Sequence, residues 1–115
     1  MRIIIAGGRD FKDYNRLKLV VEHNVQNLDC VEIICGEARG ADALGKQLAV
    51  SKGWTVHSYP ADWERYGKAA GYRRNEEMAK HAEALIAFWD GKSRGTKHMI
   101  DLAQKHRLKV KVYNY

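Results

Sequence analysis

Hydrophobic positions along the chain alternate between two periodicities. Ile3-Ile4-Ile5-Ala6 is a β-branched run that stops at Gly7-Gly8, the pattern of a buried strand meeting a turn. Beyond Asp13, a candidate N-cap, the residues Leu17, Val20, Val21, Val25 and Leu28 return at helical spacing. The same pair of patterns then repeats. Val31–Cys35 predicts a second strand ended by Gly36, and Ala41, Leu44, Leu48 and Ala49 predict a second helix. Thr55–Tyr59 predicts a third strand, closed by Pro60, with a polar and aromatic connection from Ala61 to Gly71 and a helix through Met78 and Ala79. Ala84–Phe88 predicts the fourth strand, Met99, Ile100 and Ala103 a helix after Thr96, and Lys109–Tyr113 the fifth strand.

Strands separated by helices imply βαβ crossovers, so the expected fold is a single Rossmann-like three-layer α/β domain over residues 1–115 with a parallel five-stranded sheet. Doubly buried strands read as unbroken apolar runs, and edge strands interleave polar residues. The third and fifth runs interleave them, which places those strands at the edges and favours the order 3-2-1-4-5. Chain direction then reverses between the first and fourth strands. Open α/β sheets bind ligands at such a point, beyond the carboxyl ends of the strands.

Glycine and arginine positions single out that rim. Of ten glycines, Gly7, Gly8, Gly36, Gly40, Gly67, Gly71, Gly91 and Gly95 fall in segments that follow strands. Arg9, Arg39, Arg73, Arg74 and Arg94 lie beside them. Glycine loops running into helices offer free N–H groups to an anion, and a guanidinium suits bidentate phosphate contact. The candidate contacts from the first two loops are Gly7, Gly8, Arg9, Gly36, Arg39, Gly40 and Asp42, where Asp42 could equally serve the helix dipole. The last loop contributes Asp90, Gly91, Lys92, Ser93, Arg94, Gly95 and Thr96. Between them lie Asp62, Trp63, Arg74 and Asn75. Trp63, Tyr66 and Tyr72 could stack on a base or pack on the sheet edge, and Asn75 is either an N-cap or a ligand contact.

Composition narrows the remaining classes. With 20 Lys+Arg against 14 Asp+Glu the net charge is +6, which favours an anionic partner without naming it. No apolar run reaches the length of a membrane helix, and the N-terminus turns glycine-rich too soon for a signal peptide. The chain therefore reads as cytoplasmic, with no membrane partner. Two cysteines, Cys30 and Cys35, make no disulfide scaffold, and Cys35 reads as a buried structural thiol. Metal-type Cys/His spacing is absent, and no cofactor is expected. His98 is the one histidine near the rim.

Taken together, Gly7-Gly8-Arg9-Asp10-Phe11, Gly36-Glu37-Ala38-Arg39-Gly40-Ala41-Asp42, Ala61-Asp62-Trp63 with Gly67-Lys68-Ala69-Ala70-Gly71 and Arg74-Asn75, and Ala87–Thr96 are the motifs of a known group. The chain resembles the YspA/YpsA-related group of the SLOG superfamily, Rossmann-like proteins that include Smf/DprA and the LOG-type enzymes. The resemblance implies a nucleotide or nucleotide-derived ligand at the rim, and a homo-oligomer. LOG-type enzymes carry a Glu in their phosphoribohydrolase motif; Met99 stands at that position here, and a thioether provides no acid or base. The first reading is thus a nucleotide-binding sensor or sequestering module. A nucleotide-processing hydrolase or transferase using Asp42, Asp62 or Glu37 as base is the alternative. A single-stranded nucleic-acid-binding protein is the third, and the lack of a basic helix or an even aromatic platform counts against it.

Overall fold

The computed structural model describes residues 1–115. In chain order it comprises β1 (Arg2–Gly7), α1 (Tyr14–Val25), β2 (Glu32–Cys35), α2 (Ala41–Lys52), β3 (Thr55–Ser58), α3 (Trp63–Tyr66), a 3-10 turn (Gly67–Ala69), α4 (Ala70–His81), β4 (Ala84–Trp89), α5 (Arg94–Lys105) and β5 (Lys109–Asn114). All strands are parallel, and the sheet order is β3-β2-β1-β4-β5, as the polar interleaving implied. This is a Rossmann-like α/β fold.

Alternation along the central strands builds two apolar layers. Ile3, Ile5, Ile33, Ile86 and Phe88 point to the side covered by α1 and α2. Their chain neighbours Ile4, Ala6, Ile34, Leu85 and Ala87 point to the side covered by α4 and α5. A strand buried on both faces must be apolar at every position, and β1 from Ile3 onward and β4 are. In register, Ile4 sits between Ile34 and Leu85. Edge strand β5 is exposed at Lys109, Lys111 and Val112. Asp13 caps α1, its side chain accepting from Arg16 N at 3.0 Å. Both cysteines are free thiols, and Cys35 is buried. No helix is long and apolar enough to cross a membrane.

Several strand ends shift by one residue from the sequence expectation, and three differences bear on the site. The Ala61–Gly71 connection is largely helical, and α4 begins at Ala70, so Tyr72, Arg73, Arg74 and Asn75 are helical residues rather than loop residues. Asn75 therefore is not an N-cap. The periodicity hid this because α3 buries no residue and shows no apolar stripe; Asp62 caps it instead, accepting from Arg65 N at 3.1 Å. Helix α5 likewise starts at Arg94, before Thr96, because Ser93 is its N-cap, accepting from Thr96 N. Strand β3 ends at Ser58, one residue early, although Tyr59 N still donates to Cys35 O at 2.9 Å.

Candidate functional site

The carboxyl ends of β1, β2 and β4 carry loops that are tied to one another through backbone. Gly8 O accepts from Phe11 N at 3.2 Å and from Ala41 N at 3.3 Å, so the β1 loop is bonded to the first residue of α2. That approach requires Gly40. Its φ is +78°, and a Cβ there would lie 2.1 Å from Gly8 O and 2.7 Å from the Arg9 Cα. Gly7 is equally constrained by space, since a Cβ would meet Phe88 O at 2.5 Å and Ala41 Cβ at 2.7 Å. No side chain caps α2; the Gly8 carbonyl takes the N–H of its first residue instead.

Arg74, projecting from α4, is the hub. Its Nη1 donates to the Gly36 carbonyl and its Nε donates to Asn75 Oδ1 at 3.0 Å. Asn75 Nδ2 reaches the Gly95 carbonyl at 3.4 Å and His98 Nδ1 at 3.2 Å, which joins α4 to the start of α5. Burial pushes the Arg74 pKa down; Asp42 opposes that shift, and the nearby Arg9 guanidinium adds to it. Asp42 is 6% exposed, and burial pushes its carboxyl up to about 6 against the pull of Arg74 and the backbone amides of Gly36 and Ala38. The apolar side chains Ala6, Met78 and Met99 share its cavity and account for the desolvation.

Three adjoining clefts with volumes of about 270, 100 and 170 Å³ open here, and Arg9 and Arg74 line all three. Among the residues expected at a site, Gly7, Gly36, Glu37, Arg39, Asp42, Trp63, Asn75, Ser93, Gly95 and Thr96 join those two arginines in lining the space. Gly8 and Gly40 stand behind it as backbone supports. Other residues point elsewhere. Asp62 lines a neighbouring cleft on the far side of α4 and caps α3. Asp90 accepts from the backbone N–H groups of Lys92 and Ser93, both at 2.8 Å, and these bonds hold its carboxyl below the usual carboxylate range. Gly91, at φ +82°, completes that turn, while Lys92 and Arg94 are exposed outside the clefts.

Asp42 and Glu37, two of the carboxylates read as bases, are shifted in opposite directions. Glu37 sits at φ +59°, paired with Lys46 at 3.0 Å, and hydrogen bonds from Ser58 and Lys46 hold its pKa down. The Cys35 thiol is pushed up by burial, which suits a structural rather than a nucleophilic cysteine. Trp63 and Tyr72 are not packed on the sheet edge; they remain 55% and 48% exposed at the cleft mouth. Sequence reasoning missed Lys68, the third cation of the cleft that Tyr72 lines, and the roles of Met78 and Met99 as cavity floor. Lys68 had a signal, its place in Gly67-Lys68-Ala69-Ala70-Gly71, whereas the methionines look like ordinary core in sequence.

Comparison with known proteins places this geometry. Residues 1–66 match the model of the YspA, cpYpsA-related SLOG family. The chain is 34% identical over 116 aligned residues to the Gene 61 protein of Mycobacterium phage D29, spanning 95% of this chain and 93% of that protein. Among solved structures, DNA processing protein A from Streptococcus pneumoniae superposes with a TM-score of 0.75 at 17% identity, over 96% of this chain and 49% of that one. DNA processing protein A from Helicobacter pylori, described for its single-stranded DNA binding mode, gives 0.73 at 18% identity, over 97% and 64%. The chain thus spans about half to two thirds of those proteins, and at such identity they share its fold alone. The family match over more than half the chain and the near full-length relative agree: this chain belongs to the YspA, cpYpsA-related SLOG family.

Proposed function

We propose that the cleft binds the phosphate of a small nucleotide or nucleotide-derived ligand, as a sensing or sequestering module. One observation carries the reading. Arg9 and Arg74 face the same cleft closely enough that Arg9 disfavours the charge on Arg74, and neither takes part in any of the chain's ion pairs. Two guanidinium groups held together around a cavity are stabilised by an anion between them. Ser93 and Thr96 line the same space, and since one hydroxyl donates to the other, a single hydroxyl of the pair is left as a further donor. Trp63, half exposed at the mouth, is placed to stack on a base.

A panel of nucleoside monophosphates, diphosphates, dinucleotides and ADP-ribose, screened by thermal shift and then calorimetry, tests this. A ligand at a hundredfold excess over its Kd stabilises by about 2.7 kcal/mol, an easily measured shift. No stabilisation by any nucleotide at millimolar concentration would sink the reading.

The exposed aromatics support a second reading, single-stranded nucleic acid. Beyond Arg74 the surface continues into another cleft of about 340 Å³, where Tyr66 offers a ring but Arg73, Arg74 and Lys80 are matched by Asp62, Glu76 and Glu77, so a longer strand following it would rely on stacking rather than on net charge. Affinity that climbs with oligonucleotide length and falls steeply with salt would select this reading over a single small ligand.

A further inference from the structure

Asn75 is 7% exposed, and its amide is fixed from both ends by partners with no choice of role. Arg74 Nε can only donate, and it lies 3.0 Å from Asn75 Oδ1. The Gly95 carbonyl can only accept, and it lies 3.4 Å from Asn75 Nδ2. The amide therefore has one orientation, with oxygen toward Arg74 and nitrogen toward α5. The same Nδ2 is 3.2 Å from His98 Nδ1, so Nδ1 must carry a lone pair. The imidazole is neutral, with its proton on Nε2. At the far end of this train Arg74 Nη1 is held by the Gly36 carbonyl, and Nη2 makes no hydrogen bond within the protein.

We propose that His98 is a proton-operated positioning residue: neutral Nδ1 locks Asn75, Asn75 locks Arg74 toward the cleft, and a proton on Nδ1 releases it. A protonated ring would set N–H against N–H. Turning the amide over brings no relief, because Oδ1 would then face the Gly95 carbonyl and Nδ2 would face the Arg74 Nε–H. The imidazolium and the Asn75–Arg74 bond thus exclude each other. Partial burial already lowers the proton affinity of His98, while Asp101 on its own helix and Glu76 on α4 pull the other way. From α4, Tyr72 adds a ring edge at 4.5 Å and Asn75 its amide. The consequence for ligand affinity rests on the cleft being an anion site; the positioning itself does not.

Proton–nitrogen correlation spectra of the labelled, ligand-free protein test the train directly. The Arg74 Nε–H signal, identified by its loss in R74K, is followed from about pH 8 to about pH 5 while the ring-carbon shift of His98 reports its own titration. The expected result is a slowly exchanging Arg74 signal at the upper end that vanishes with the His98 midpoint. H98Q, which can offer an oxygen to Asn75 and does not titrate, keeps the signal throughout. H98K, which offers only donors, lacks it at every pH. Repeating the series in D42N removes Asp42, the other titrating group that faces Arg74.

An Arg74 signal that ignores the His98 titration, is missing at the upper end, or survives in H98K would overturn the proposal. If the variants do not fold, the wild-type titration alone decides. Carried into the nucleotide titrations, wild-type affinity falls by up to about tenfold per pH unit below the His98 midpoint and that of H98Q does not. Failure of every nucleotide to bind would defeat the reading of the cleft and leave the Arg74 titration standing.

Discussion

Replacing Asp42 by asparagine isolates what it costs to keep a carboxylate beneath the cleft. Burial raises the Asp42 pKa from 3.8 to about 6, even though Arg74 and two backbone amides favour the charged form. The folded pKa lies above the unfolded one, so the folded state holds this proton longer. Its stabilising effect is complete below the unfolded value and is lost as pH rises through the folded value. A gap of about two units corresponds to about 3 kcal/mol, of which about 2 kcal/mol develops between about pH 4.5 and about pH 7. Asparagine resembles the protonated acid in shape and cannot ionise. Any fixed packing cost of the substitution is the same at every pH, so only the slope matters. Urea unfolding of wild type and D42N at intervals across that range should show D42N gaining about 2 kcal/mol relative to wild type toward neutrality. A difference that stays flat, or falls with rising pH, would refute the claim that Asp42 is an ionised, desolvated group in the folded protein.

Other substitutions test the scaffold and the cleft separately. Gly40→Ala places a Cβ 2.1 Å from Gly8 O at a φ of +78°, so a thermal melt should show a loss of at least about 2 kcal/mol. Arg74→Lys keeps the charge but not both bonds to Gly36 and Asn75; calorimetry with whichever nucleotide binds best should show a tenfold to hundredfold weaker Kd, about 1.4 to 3 kcal/mol. Trp63→Ala, at a side chain 55% exposed, should leave stability within about 0.5 kcal/mol of wild type. The same variant should weaken base-bearing ligands about tenfold while leaving pyrophosphate binding unchanged, and equal losses for both would remove the stacking role.

The layered fold was legible because burial on both faces leaves an unmistakable mark. Ile3–Ala6 and Ala84–Phe88 have no polar position to spare, while polar residues interrupt the third and fifth strands, and this contrast together with short right-handed connections orders the sheet. The rim was legible for a related reason, since Gly7, Gly36 and Gly95 lie where a strand must turn or a helix begin. What composition did not convey was the segment from Asp62 to Asn75. Its helices are short or exposed, so no apolar stripe announces them, and Arg74 and Asn75 reach the cleft from a helix face rather than from a loop. The Asp90 turn shows the converse: Asp90, Gly91, Lys92 and Ser93 look like ligand chemistry in sequence, yet two of their polar groups are spent on a turn and a helix cap. Local capping and ligand contact use the same residue types, and only three-dimensional direction separates them.

That direction also decides which group could hold a proton beside a bound anion. Met99 and Met78 form an apolar floor under the cavity that Asp42 lines. Burial raises the proton affinity of Asp42, and the charge of nearby Glu37 adds to it. An anion drawn in by Arg9 and Arg74 would add negative charge beside Asp42 and occupy the guanidinium that now favours its ionised form. Both effects move the Asp42 pKa further above about 6, toward neutrality. Asp42 in the complex would therefore be a neutral acid, donating its proton in a hydrogen bond to the ligand, and binding near neutral pH would take up a proton. His98 acts on Arg74 with the opposite sign, since its protonation loosens the guanidinium that Asp42 protonation leaves free for the ligand. Protonation of Asp42 thus favours the ligand and protonation of His98 disfavours it.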